Sequence, residues 1–179
     1  MHHRILLLIS LLMVKMLGAQ MVVGVSGLFE QPIAKSQGIN LYSAGGVVSL
    51  DYRLFADRIS AGGVWQYKIT PNLPSLSFNA YLASISYFPL KTKQNMPYLS
   101  GRIGYCQSNE TISFPDGTSL TFYNDGAIVS PAIGLLSSFR FISGLFWDFT
   151  ASYTYYFDER STSGIGIGVG FKYFFNQKE

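Results

Sequence analysis

Histidine, cysteine and charge are scarce in this sequence, and each shortage excludes a class of function. The only histidines, His2 and His3, stand at the extreme N-terminus, and Cys106 is the only cysteine. The rest of the chain therefore lacks the commonest general base and metal ligand, and a single cysteine cannot form an intrachain disulfide. Charged residues make up 13% of the sequence, whereas a soluble domain carries about 25%. We therefore expect no enzyme, no catalytic residue, no metal and no cofactor.

The first 19 residues have the pattern of a bacterial signal peptide. A basic start that ends at Arg4 precedes an apolar run over residues 5–14, and Ala19 stands just before Gln20. This layout directs export, so we expect cleavage near Ala19 and a mature domain over residues 20–179. An uncleaved N-terminal anchor is the alternative. With 13 basic against 10 acidic residues, the charges are nearly balanced, and we expect no direct nucleic-acid site.

Long apolar runs are absent after residue 20, although 48% of the residues are hydrophobic. A transmembrane helix needs about 20 apolar residues in succession. Here apolar residues recur at every second position instead, most clearly where Ile165, Ile167 and Val169 alternate with glycines. Period-two alternation places the two sets of side chains on opposite faces of a strand. The pattern predicts eight strands, at residues 22–30, 42–54, 58–69, 77–88, 98–106, 127–141, 145–157 and 164–175.

The even strand count and the unequal links predict an all-β, eight-stranded, antiparallel up-and-down transmembrane β-barrel. The second link (residues 55–57) and the sixth (near 140–143) are short, whereas the fifth, residues 107–126, is the longest. Outer-membrane barrels have short periplasmic turns and longer outer loops. We therefore expect a barrel in the outer membrane of a Gram-negative bacterium, surrounded by lipid. A soluble lipocalin-like barrel or sandwich, which would carry charges on its outside, is the alternative.

The charged residues of the strands share one register, which we expect to face the lumen. Charges at mid-bilayer cost a few kcal/mol each, so the apolar face must point to lipid. Eight strands enclose only enough space for their own side chains, so these charges are predicted to pair across a plugged lumen; an ion path is the alternative. Aromatic residues such as Tyr98 and Trp147 suit the interfacial girdles. The predicted lumen network is Glu30, Asp51, Arg53, Lys68, Arg102, Asp148 and Lys172.

The longest link is the candidate site for a partner, because binding residues often lie in loops on a rigid scaffold. Asp116-Gly117 and Asn124-Asp125-Gly126 are turn signals, and residues 112–114 and 120–123 are expected to form a small hairpin projecting from this link. Pro131, in the next strand, lacks an amide N–H and predicts a bulge or a rim position. The candidate partner loop is Phe114, Asp116, Gly117, Phe122, Tyr123, Asn124 and Asp125.

The stretch FPDGTSLTFYNDGAIVSPAIGLLSSFRF (residues 114–141) and the closing GIGIGVGFKYF resemble the TraO family, the conjugal-transfer proteins of Bacteroides-type conjugative transposons. In that family a turn of the LPDG kind precedes an Asp-Gly turn and a strand that runs into small residues. The resemblance implies a non-enzymatic outer-membrane barrel in a conjugative DNA-transfer apparatus, with other envelope components as partners and no small-molecule substrate.

Two other functions remain open on the sequence. One is a stand-alone small outer-membrane barrel for adhesion, envelope integrity or narrow conductance. The other is a barrel enzyme that acts on lipid or peptide, which the lack of histidine beyond His2 and His3 argues against.

Overall fold

The computed structural model describes residues 20–33, 42–54, 58–71, 73–90, 92, 94–113, 117–157 and 162–175, without the side chains of residues 73–75, 112–113 and 122–123. The predicted signal peptide lies outside the described residues. No helix in the described ranges is long and apolar enough to cross a membrane. The strands are β1 (Gln20–Pro32), β2 (Ser43–Leu54), β3 (Ile59–Thr70), β4 (Leu73–Tyr87), β5 (Asn95–Ser113), β6 (Ser119–Val129), β7 (Ala132–Ser138), β8 (Leu145–Phe157) and β9 (Ser163–Phe174).

The strands form one antiparallel ring. β1 to β5 pair in sequence order, β8 pairs with β9, and β1 closes the ring on β9, from Val22↔Phe174 to Pro32↔Gly164. β6 and β7 are two halves of a single strand position, because both lie between β5 and β8. The ring therefore has eight strand positions, which confirms the predicted eight-stranded up-and-down barrel.

Pro131 divides the sixth strand position without shifting its register. Ser130 and Arg102 exchange two backbone hydrogen bonds of 2.8 and 3.2 Å, and the carbonyl of Pro131 accepts one from the N–H of Tyr153 at 3.0 Å. Proline has no N–H to return that bond, as expected. The predicted bulge or rim position is wrong, because β6 and β7 keep one register against β5 and β8 and the break lies inside the wall.

Most strand boundaries agree with the prediction within a few residues, but β5 and β6 are much longer than predicted. They stay paired up to Ser113↔Ser119. The predicted small hairpin is confirmed in part, because Ile112 pairs with Leu120 and Ser113 with Ser119, while residue 114 lies outside the described residues. The predicted loop on either side of that hairpin is wrong, because the pairing of β5 with β6 continues through residues 107–111 and 121–126. We call residues 107–113 and 117–126 the long hairpin. Polar residues occur on both of its faces, so the apolar alternation that defines the other strands ends before the strands do.

The alternation separates an apolar exterior from a lumen that contains both polar and apolar side chains. Tyr81, Ile103 and Ile167 point outward and expose 60%, 61% and 60% of their surface. Among the described strand residues, Asp125 is the only charged one on the outward register. A charge that faces lipid costs about 2–4 kcal/mol at the midplane, so this exterior suits hydrocarbon. It does not suit the soluble barrel considered as the alternative, which needs a charged outer surface.

Candidate functional site

The inward side chains fill the lumen in three layers. One apolar cluster lies at the end where β1 begins and β9 ends, a second lies towards the opposite end, and polar residues lie between them. The first cluster contains Val22, Phe88, Met96, Tyr98, Leu136, Phe146 and Phe174. The second contains Val47, Val64, Ala80, Leu82, Cys106, Ile128 and Tyr156.

Asp148 is the centre of the middle layer. Its carboxylate accepts hydrogen bonds from the hydroxyl of Tyr98 at 2.7 Å and from that of Thr150 at 3.3 Å. The Nζ of Lys172 lies 3.4 Å from the other carboxylate oxygen and 4.6 Å from the centroid of the Tyr98 ring. A charge buried this deeply needs both an opposite charge and hydrogen bonds, and Asp148 has both.

Tyr98 reaches Asp148 because a glycine makes room for its ring. A Cβ on Gly134, in the neighbouring β7, would lie 2.2 Å from the Tyr98 Cζ. Tyr98 is only 1% exposed, so its expected place in an interfacial girdle is wrong. The alternation of β5 is the signal that could have placed Tyr98 in the lumen, because Tyr98 shares the register of Ser100 and Arg102.

Glu30, Lys68 and Tyr156 form a second buried group, near the opposite end of the lumen. The Lys68 Nζ lies 2.9 Å from the Glu30 Oε1, and the Tyr156 hydroxyl donates to the same oxygen at 2.7 Å. Lys68 also donates to the Tyr156 hydroxyl. Gly164 leaves space for the carboxylate, because a Cβ there would lie 3.0 Å from Glu30. The Tyr156 contact is another that the sequence pattern did not predict.

Arg53 lies in the first apolar cluster, among aromatic rings. Its guanidinium lies 4.8 Å from the ring centroids of both Phe88 and Phe174, and an Nη lies 3.6 Å from the Sδ of Met96. Stacking of this kind stabilises a cation by its attraction to the faces of the rings. Arg53 therefore closes this end of the lumen together with the aromatic side chains.

The two other predicted lumen residues, Asp51 and Arg102, line a small cavity. Asp51 accepts a hydrogen bond from Ser84 at 2.8 Å. The cavity is also lined by Asp148 and Lys172 and has a volume of about 20 Å³, room for about one water molecule. The structure thus places all seven predicted residues on the inward register, in separate groups, and pairs Lys68 with Glu30 and Lys172 with Asp148. In the described ranges, no three His, Cys, Asp or Glu side chains come close enough to hold a metal ion.

The candidate partner loop is only partly a loop. Phe114 and Asp116 lie outside the described residues, and Gly117 has a positive φ of 84°, as the Asp-Gly turn signal predicts. The predicted turn at Asn124-Asp125-Gly126 is wrong, because these residues belong to β6 and pair with β5.

Side-chain contacts between the two strands explain why the turn residues adopt a strand. The Ser108 hydroxyl donates to the carbonyl of Asn124 at 3.0 Å, and the side chain of Asp125 is hydrogen-bonded to Tyr105. The backbones of Phe122 and Tyr123 belong to the same strand. Strand pairing here overrides the turn preference of Asn and Asp.

A closed ring of eight strand positions, an apolar exterior and a lumen filled with side chains that include buried charges define the fold of small outer-membrane β-barrels. The Neisserial surface protein A (NspA) has this fold, with a TM-score of 0.68 and 12% identity over 86% of this chain and 96% of that one. Ail of Yersinia pestis, in complex with the heparin analogue sucrose octasulfate, has a TM-score of 0.61 and a sequence identity of 12% over 88% of this chain and 99% of Ail. The N-terminal barrel domain of Pseudomonas aeruginosa OprF has a TM-score of 0.51 and a sequence identity of 18% over 87% of this chain and 99% of that domain.

These likenesses show the fold alone, because the sequence identities are low. No family model matches the chain, and no curated protein matches it. The predicted fold class is confirmed, whereas the resemblance to the TraO family rests only on the residues quoted for it.

Proposed function

We propose that this protein is a non-enzymatic barrel of the outer membrane of a Gram-negative bacterium and acts through protein contacts of its long hairpin. The apolar exterior supports a lipid environment, since it carries a single charge, Asp125, among the described outward strand residues. Export by residues 1–19, with cleavage near Ala19, belongs to the same proposal. N-terminal sequencing of the protein from outer-membrane fractions tests the export step.

The contrast between the filled lumen and the long hairpin carries this proposal. In the lumen, Glu30, Lys68 and Asp148 are buried and paired, and the cavity among the middle charges has a volume of only about 20 Å³. Such an interior supports the plugged lumen over the ion path considered as its alternative. The long hairpin, in contrast, extends beyond the end of β8. Leu120 is 54% exposed there, although it lies on the register that faces the lumen inside the barrel.

The specific setting that we propose is a conjugative DNA-transfer apparatus. The stretch that resembles the TraO family, residues 114–141, includes the tip of the long hairpin and the whole of β6 and β7. The hairpin would then contact other envelope components of the apparatus, with no direct contact to DNA.

Conjugation frequency from a donor that lacks the gene tests this setting. We expect a fall of orders of magnitude, restored by the full chain but not by a variant in which residues 109–123 are replaced by a short turn. The matched control is Gly63→Ala, an outward glycine with open space around it, which should restore transfer fully. Unchanged transfer after deletion would rule out the conjugative role and leave the barrel itself unaffected.

The alternative is a stand-alone barrel for adhesion or envelope integrity, to which the fold of the solved neighbours is equally suited. Ail was solved with a heparin analogue, which is a polyanion. The described residues of the long hairpin carry Glu110 and Asp125 and no lysine or arginine. Because like charges repel, a heparin-like ligand does not fit this hairpin, and replacing residues 109–123 by a short turn should not weaken binding to immobilised heparin.

A further inference from the structure

We propose, on the basis of the function proposed above, that the outer edge of β6 in the long hairpin binds an extended, cationic peptide segment of a partner protein as an added β-strand. Residues 119–126 of β6 pair with β5 on one side. On the other side β8 pairs with β6 only from Ala127 to Val129. Among the described residues, this stretch has no second strand beside it.

The register shows which backbone groups point to this edge. In an antiparallel ladder, alternate residues exchange hydrogen bonds with one neighbour and the residues between them face the other. Ser130 exchanges both bonds with Arg102 of β5, whereas the next residue, Pro131, accepts its bond from β8. By this alternation Thr121, Tyr123 and Asp125 direct their N–H and C=O groups away from β5, to the outer edge.

Three such residues provide a template of useful length. Alternate residues lie about 6.6 Å apart along a strand, so their six backbone groups match an extended segment of about six residues. An extended peptide that adds to a sheet edge gains affinity from these main-chain hydrogen bonds. This part of the chain is therefore long enough for strand addition.

The edge lacks the devices that usually prevent pairing with another chain. Proteins protect edge strands with lysine, proline, bulges or very short strands. Residues 119–126 contain neither lysine nor proline, and their register to β5 is continuous. The proline of this strand position, Pro131, lies lower down, where β8 already covers the edge.

Charge indicates the chemistry of the partner segment. The described residues of the long hairpin carry Glu110 and Asp125 and no cation, and Asp125 lies beside the edge at the end nearest the membrane wall. An added strand with lysine or arginine at alternate positions would complement these carboxylates. A second copy of this chain would bring the same negative charges to the edge, so we commit to a cationic partner.

Amide hydrogen exchange on the full chain in detergent micelles tests the binding mode. Without peptide, the amides of Thr121, Tyr123 and Asp125 should exchange at least about tenfold faster than those of Leu120 and Asn124, which bond to β5. The probe is a ten-residue peptide of alternating lysine and threonine, which should slow the three edge amides at least about tenfold. The same peptide with every backbone nitrogen methylated should have no effect, and one with glutamate for lysine should bind more weakly.

Substitutions in β6 identify the edge as the site. Thr121→Pro removes one edge N–H, which edge strands tolerate, and should weaken binding of the lysine–threonine peptide about fivefold, the loss typical of one backbone hydrogen bond. Thr121→Val is the matched control, since both variants lose the hydroxyl contact with Thr111, at 3.1 Å, but only the proline loses the N–H. Asp125→Asn should weaken binding and reduce its dependence on salt.

Several outcomes would overturn the inference. These are edge amides that already exchange as slowly as their neighbours in the monomer, equal binding of the methylated peptide, or equal affinities of Thr121→Pro and Thr121→Val. Edge protection that grows with protein concentration in the absence of peptide would assign the edge to a second copy instead. The conjugation assay separates this failure from that of the proposed function. Transfer that survives replacement of residues 109–123 contradicts the proposed function, whereas transfer that needs these residues in a protein that binds no peptide contradicts only the strand addition.

Discussion

In the lumen, Glu30, Lys68 and Asp148 contact polar side chains from other strands of the ring, whereas in the long hairpin the same register is exposed at Leu120. Glu30 and Asp148 are 4% and 5% exposed, but Leu120 exposes 54%. The two regions share the same strand geometry and differ only in whether the ring surrounds them. Ring closure therefore decides which polar groups contribute to stability and which are available for binding.

Asp148→Ala should cause the largest loss of stability and tests whether the paired charges of the lumen stabilise the barrel. The variant leaves Lys172 buried without its carboxylate and removes the acceptor of the Tyr98 hydroxyl, so we expect a loss of about 3–5 kcal/mol in the free energy of unfolding. Urea unfolding in lipid vesicles measures it. The double variant Asp148→Ala/Lys172→Met should regain most of the loss, and a loss below about 0.5 kcal/mol would contradict the paired lumen.

Gly134→Ala should have the next largest effect. Its Cβ would lie 2.2 Å from the Tyr98 Cζ, so the ring must move away from Asp148, at a cost of about 1–3 kcal/mol. Gly63→Ala is the control, because no atom lies within 4 Å of its added Cβ. Equal stability of the two variants in the same unfolding experiment would show that Tyr98 is not held against β7.

Asp125→Asn should have the smallest effect on stability. It tests whether a charge of the long hairpin serves binding and not the stability of the barrel. Its carboxylate lies on the outward register and is exposed, so we expect a change within about 0.5 kcal/mol while binding of the cationic peptide weakens. A loss as large as that of Asp148→Ala would mean that the hairpin is part of the stabilising core.

The wall of the barrel could be predicted from sequence because lipid imposes a strict alternation on it. β8 spans the predicted residues 145–157, and β9 differs from its predicted range by one residue at each end. The long hairpin lies beyond that constraint. Polar residues there stand on both faces, and Asn124-Asp125-Gly126 resembles a turn although it pairs as a strand.

The lumen could be predicted only in part. Alternation placed the seven charged residues on the inward register. Which side chain each of them contacts depends on how far each strand is displaced along its neighbours around the ring. The pairing of Lys68 with Glu30 joins β3 to β1 across β2, and Tyr98 reaches Asp148 across Gly134. Such displacement has no local signal in the sequence. Alternation puts Tyr98 and Tyr156 on the same register as Arg102 and Asp148, but it does not show which charged group each hydroxyl contacts.

The pairing of β1 with β9 determines when the barrel can finish folding. These two strands are the first and the last in the sequence of the barrel. Their backbones lie close together at the glycines of β9, where a Cβ on Gly170 would lie 2.3 Å from the Cα of Ser26. Contacts between residues so distant in sequence form slowly because the intervening chain must be ordered first. Until β9 arrives, β1 and β8 both keep an unpaired edge, which is not tolerated in lipid. Insertion and closure must therefore be coupled, and loss of β9 alone should prevent the chain from entering the membrane.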